Sequence, residues 1–511
     1  MVRPCTSIKL ISMKKITVLI ICSVVFILHA AAQNSVGVFD EHSDVGNPTI
    51  KGNAVYNAAD QTYLLSAAGK NVWAKQDQFQ FAWKKIKGDF IINATVHFIG
   101  TGVAGHRKLG VMARDKLTTD SRYIDGTFHG GLPLLTSMQY RQSDGDTTGQ
   151  LIISPIHPTE IEFERNGNTF TFSAATFGEN YKSVSREMDL NDETYVGIYL
   201  CSHVDTVIEK AIFSNVRIII PPAKNYKPYT DYIGSHLEVM DVATGLRKIL
   251  YSAPNSLQAP NWTPDNKSLL YSSEGLLYKY DLKTGTVEKI NTGVVNDLNN
   301  DHVLSMDGKM LGISNHLGGK STIFILPTTG SDKPEQMTAD SLVPSYLHGW
   351  SPDKKRLIFT GFRNKQWDIW AIDVATKKET ALTDNTTLDD GAEYTPDGKW
   401  IYFNSVRTGN MKIWRMKPDG SNQEQVTFDD FNDWFPHISP DGKWIVYISF
   451  SKDIDPTTHP FYQKTYIRLM PLSGGVPKNI AYVFGGQGTI NVPSWSPDSK
   501  QIAFISNTQI K

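Results

Sequence analysis

The stretch NDWFPHISPDGKWIVYIS, residues 432–449, divides into an approach, a turn and a strand. Pro440-Asp441-Gly442-Lys443 is turn chemistry: proline presets one dihedral, aspartate accepts from nearby backbone amides, and glycine takes a left-handed position. Residues 444–448 alternate as a half-buried strand does. Five further segments place a Ser/Thr-x-Asp turn before a β run: NWTPDNKSLLYSS (261–273), HVLSMDGKMLGISN (302–315), HGWSPDKKRLIFTG (348–361), AEYTPDGKWIYFNS (392–405) and PSWSPDSKQIAFIS (493–506). The six aspartates, Asp265, Asp307, Asp353, Asp397, Asp441 and Asp498, stand 42, 46, 44, 44 and 57 residues apart. A four-stranded propeller blade repeats about every 40–45 residues, so six copies predict six blades.

Each unit reads as an inner strand A before the turn, strand B after it, then strands C and D. The chain enters the repeat at HLEVMDVATGLRKILYS (236–252), which has the pattern of C and D alone, and leaves at VPSWSPDSKQIAFIS (492–506), which has that of A and B. The two halves are expected to complete one split blade and remove the free sheet edges at the seam. The longest step holds an insertion between B and C, SKDIDPTTHPFYQK (451–464).

Upstream, 34–220 lacks this period. Runs such as DFIINATVHFIG, KLGVMARD and IEFERNGNTFTFSAA alternate between Gly, Asn and Asp turns, the signature of an antiparallel β-sandwich. PPAKNYKPY falls in a proline-rich linker, 221–230, ahead of a propeller over 231–511. At the N-terminus, Lys14 and Lys15 precede the apolar run 16–28, and Ala30 and Ala32 bracket an export-signal cleavage site after Ala32. The run is short for a stable membrane span. Cleavage removes Cys5 and Cys22 and leaves Cys201 alone, a buried structural thiol. A net charge of −1 without basic runs argues against a nucleic-acid partner. The expected class is all-β, periplasmic or secreted.

The repeated WSPDGK-type units resemble TolB-like six-bladed propellers of the bacterial periplasm. The N-terminal half, with GKNVWAKQDQFQFAWKKIKGDFIINATVHF and LGVMARD, resembles concanavalin-like jelly rolls, which accompany carbohydrate-active modules. A weaker similarity, carried by histidines ahead of three repeat motifs and a glutamine ahead of another, is to oligogalacturonate lyases. That resemblance implies a divalent metal, Mn or Ca, on His302, His348, His437 and Gln487. Those lyases are usually drawn with seven blades, and their substrate arginines are not matched here one by one.

Propeller geometry sorts the residues by face. All A-to-B turns lie on one rim, and their aspartates are structural. The D-to-A and B-to-C connections surround the other mouth, where a rigid scaffold usually places function. Asp390 and Glu393 are candidate acid and base, with Arg363 and Arg407 to hold a substrate carboxylate. His316, Trp367, Asp433, Trp434 and Asn491 are candidate substrate-binding groups, and loop aromatics can stack on sugar faces. Taken singly, each histidine also reads as a hydrogen-bonded structural residue, and the acids as solvated turns. Three functions stay open: recognition of an oligosaccharide, polysaccharide or envelope protein; metal-assisted β-elimination on a uronate; and hydrolysis by paired carboxylates.

Overall fold

The computed structural model describes residues 36–132, 134–153, 157–227, 230–339 and 343–510. The export signal, with Cys5 and Cys22, lies outside the described residues. The described residues contain no helix, hence none long and apolar enough to cross a membrane.

Six sheets make the ring. Five have four strands each, spanning 258–289, 298–336, 345–381, 389–425 and 432–485. The sixth joins Ser235–Asp241 and Arg247–Ala253 to Gln501–Asn507 from the other end of the repeat. This is the split blade; its strand A shrinks to the bridge between Trp495 and Ile502. The six turns repeat one hydrogen-bond pattern. Each aspartate accepts the hydroxyl of the Ser or Thr two residues earlier at 2.6–2.8 Å. It also accepts the amide two residues later at 3.1–3.2 Å. Met306 replaces proline in the second copy without changing this pattern, so the aspartate and hydroxyl carry the turn.

Strand A of each complete blade contains a β-bulge, an extra residue that bends the strand and re-aims side chains. Three bulges hold left-handed residues at equivalent places: Ala259 (φ 59°), Gly391 (φ 64°) and Phe435 (φ 52°). These bulges decide which polar residues reach the channel.

The N-terminal sandwich pairs a seven-stranded with an eight-stranded sheet. Between them lies a core that includes Leu109, Val111, Phe163, Phe170, Phe172 and Ile198. Cys201 is the free cysteine among the described residues, and burial raises its thiol to about 11.

Sandwich and propeller form one compact unit. Tyr181 stacks on Tyr482 at 3.6 Å, and Lys464 Nζ reaches Glu164 Oε2 at 2.7 Å. Arg217 of the sandwich reaches Glu238 of the split blade at 2.7 Å. The outer strands explain where it docks. In the first four blades they are two or three residues long, as protected edges usually are. In the fifth and split blades they run eight and seven residues, Lys478–Gly485 and Arg247–Ala253. The sandwich contacts both, through the Gly178–Asn479 bridge and through Gln61 to Ile249. It therefore straddles the seam where the ring closes.

Candidate functional site at the propeller mouth

A cavity of about 860 Å³ opens on the rim opposite the turn aspartates. All five complete blades contribute to it through strand-A entries and B-to-C turns, and none of the six turn aspartates lines it.

At its floor Asp390, 3% exposed, sits just before the bulge of the fourth blade. Thr360 Oγ1 donates to its Oδ1 at 2.6 Å, and the Gly391 amide to the same atom at 2.8 Å. His459 Nε2 is 2.9 Å from Oδ2. His348 Nε2 stands 2.9 Å from Oδ1 as an ion pair, without the alignment of a hydrogen bond. Burial alone would raise the Asp390 carboxyl, but His348 and His459 hold it well below the usual range. Burial likewise disfavours charge on His348, and Asp390 reverses this and raises the imidazole. Asp301 is different: its partners Asn299 (2.9 Å) and Asn491 (3.0 Å) are neutral amides. Burial pushes it up to about 6, against the pull of His348.

The walls carry aromatic and neutral polar groups, with the exposed Glu274 and Asp297 among them. Trp367 packs at a tilt against Phe362 and Tyr346, ring centres 5.0 and 5.8 Å away, and Phe461 and Tyr232 pack together elsewhere on the lining. Asn255, Gln258 and Gln487 offer amides.

Of the sequence candidates, Asp390, His316, Trp367, His348 and Gln487 line this cavity; the rest serve the scaffold. Glu393 lies beyond the bulge, where its Oε2 is 2.6 Å from His437 Nδ1 and its Oε1 accepts the Ile438 amide. The bulge thus separates Asp390 from Glu393, which three-residue spacing had paired. His437 Nε2 meets the Ile490 carbonyl. Both ring nitrogens are thus engaged by neighbouring protein atoms, and His437 does not line the cavity. Arg363 is taken by Glu379, Ser345 and the Pro344 carbonyl. Arg407 is taken by Asp389, Gln423 and Ser405. Asp433 accepts Ser449 Oγ at 2.6 Å beside Arg468. Trp434 is buried, its ring 4.9 Å from that of His459, which it backs. Asn491 orients Asp301. His302 is buried outside the cavity lining, its imidazole pushed down to about 4 by burial.

The metal set therefore does not fit: His348 and Gln487 line the cavity while His302 and His437 do not. Among the described residues no group of three or more His, Cys, Asp or Glu side chains is arranged to hold an ion. Replacing His437 by alanine is expected to cost about 2 kcal/mol in thermal or denaturant unfolding, through the lost charged hydrogen bond. Ligand affinity should stay unchanged; a stability-neutral variant would refute this structural role.

Sequence reasoning gave no role to His459, Tyr346, Tyr232, Phe461, Glu274, Asp297 or Asp301. The signal for His459 and Phe461 was the long insertion 451–464, whose position already put it at the mouth.

Residues 343–465 match the TolB beta propeller domain. An uncharacterized protein of Agrobacterium fabrum is 43% identical over 273 residues, covering 53% of this chain and 92% of that protein. A solved TolB-type structure from Agrobacterium tumefaciens is 41% identical and covers 55% of this chain and 100% of the other, with a TM-score of 0.52. An oligogalacturonate lyase from Vibrio parahaemolyticus aligns at 12% identity, over 54% of this chain and 98% of that one, with a TM-score of 0.36.

Proposed function

Since the chain belongs to the TolB-like β-propeller family, we propose that it is an exported envelope protein, periplasmic or secreted, that binds a glycan at the propeller mouth without turnover. The observation that carries this reading is the make-up of the cavity. Trp367 and Tyr346 provide apolar ring faces, and neutral amides and hydroxyls surround them, the chemistry that recognises pyranose faces and sugar hydroxyls. The groups that β-elimination would need are committed elsewhere. Arg363 and Arg407 are saturated inside their own blades, and Glu393 is held by His437. The sandwich, docked away from the mouth on the seam, supports the ring and resembles a carbohydrate-associated module.

A glycan array probed with the full mature chain, followed by calorimetry on the hits, tests the reading. Trp367→Ala should weaken the best oligosaccharide at least tenfold with an unchanged melting temperature. Binding to no glycan in neutral, amino-sugar and acidic sets would overturn it and leave a protein partner as the occupant.

A further inference from the structure

We infer that the glycan taken at this mouth is cationic, an amino sugar carrying a free ammonium group. The inference rests on the glycan reading above and concerns the charge of that ligand. Among the described residues, four carboxylates line the cavity, with Asp301 and Asp390 buried and Glu274 and Asp297 exposed, and no lysine or arginine does. Inside a cleft the summed field acts over the whole volume, and low-dielectric walls strengthen it.

The balance of charge falls on particular residues. Asp390 faces His348 and His459, and the exposed Asp297 lies 3.8 Å from His316, so the excess negative charge rests first on Asp301 and Glu274. Asp301 is buried with two neutral amide donors for partners, and a buried carboxylate so placed gains by facing a cation. Beside it, His348, on a side chain 5% exposed, keeps its Nε2 2.9 Å from Asp390 Oδ1, so its charge is committed to that neighbour. The half-buried Trp367 offers its face to a sugar ring and, through its quadrupole, to the ring's ammonium group. A uronate would meet four carboxylates, and the histidines at the floor are already committed to Asp390. A neutral sugar would satisfy the amides and leave Asp301 with no counter-charge but the histidines it shares with Asp390.

Calorimetry on the full mature chain at near-neutral pH and low salt decides this, using a glucosamine tetramer, its fully N-acetylated counterpart, tetragalacturonate and tetralysine. The glucosamine tetramer is expected to bind at least tenfold tighter than the acetylated one, with no measurable binding of tetragalacturonate. Asp301→Asn should abolish that preference, bringing the affinities for the two tetramers together. The exposed Asp297→Asn, which does not disturb the buried network, should reduce the preference a few-fold and serves if the Asp301 variant misfolds. Equal or tighter binding of the acetylated tetramer overturns the cationic assignment and leaves glycan recognition standing. If neither sugar tetramer binds, or tetralysine binds as tightly as the glucosamine tetramer, glycan recognition itself falls.

Discussion

Replacing Glu238 by alanine is expected to lower stability by about 3–5 kcal/mol, because it strands two buried guanidinium groups. Glu238 is fully buried and holds Arg217 through contacts of 2.7 and 3.1 Å and Arg247 through contacts of 2.8 and 3.2 Å. Ser506, on the returning strand that closes the ring, donates to it at the same time. One carboxylate thus ties together the sandwich, the first strand pair of the propeller and its last strand. Burial alone would raise the Glu238 carboxyl, but the two arginines hold it far below the usual carboxylate range. Its folded pKa is therefore lower than its unfolded one. The stability it contributes is full above the unfolded value, about 4.5, and is lost as pH falls through the folded value. The parent should consequently lose more stability on acidification than the Glu238→Ala variant. Denaturant unfolding at neutral and acid pH measures both effects. Parent-like stability of the variant at neutral pH would show that the cluster does not hold the seam.

Removing residues 492–511 is expected to open the ring and yield insoluble or protease-sensitive protein. The deletion takes away Gln501–Asn507, which pairs along the whole of Ser235–Asp241. It also removes Val492, Ile502, Phe504 and Ile505, all at most 1% exposed. At roughly 1.5–3 kcal/mol for each such side chain, the loss is on the order of 6–12 kcal/mol. That rivals the whole stability of a typical domain, about 5–15 kcal/mol. Two further ties go with it, Thr508 to the Ile220 amide and Gln509 to the Pro221 carbonyl, which anchor the start of the linker. A truncated chain that melts cooperatively at the parent temperature would rule out closure by the split blade.

The sequence was sufficient for the number of blades, the split blade and the assignment of faces. Those features follow from local physics repeated six times: one turn whose aspartate accepts a hydroxyl and an amide within three residues of itself, and one alternating strand after it. Any segment of that composition makes the turn, so the period survives even where Met306 replaces proline. The buried thiol of Cys201 was legible for a similar reason, since a cysteine in a strand pattern, with no other cysteine among the described residues, has little but burial to do.

The chemistry of the mouth was decided at longer range. Asp390 and Glu393 are three residues apart, yet a bulge sends one to the cavity and the other to His437 in the next blade. Arg363 and Arg407 looked available to a substrate until the neighbouring strands supplied Glu379 and Asp389. His459 reaches Asp390 across 69 residues of chain because an insertion folds inward over the channel. The sandwich position on the seam depended on which two outer strands grew long, and on a carboxylate that finds Arg217 only when both halves are folded. Turns and strands are set by neighbours along the chain and can be read there. Which polar groups neutralise one another, and which are left for a ligand, is set by neighbours in space, and only the closed ring brings those together.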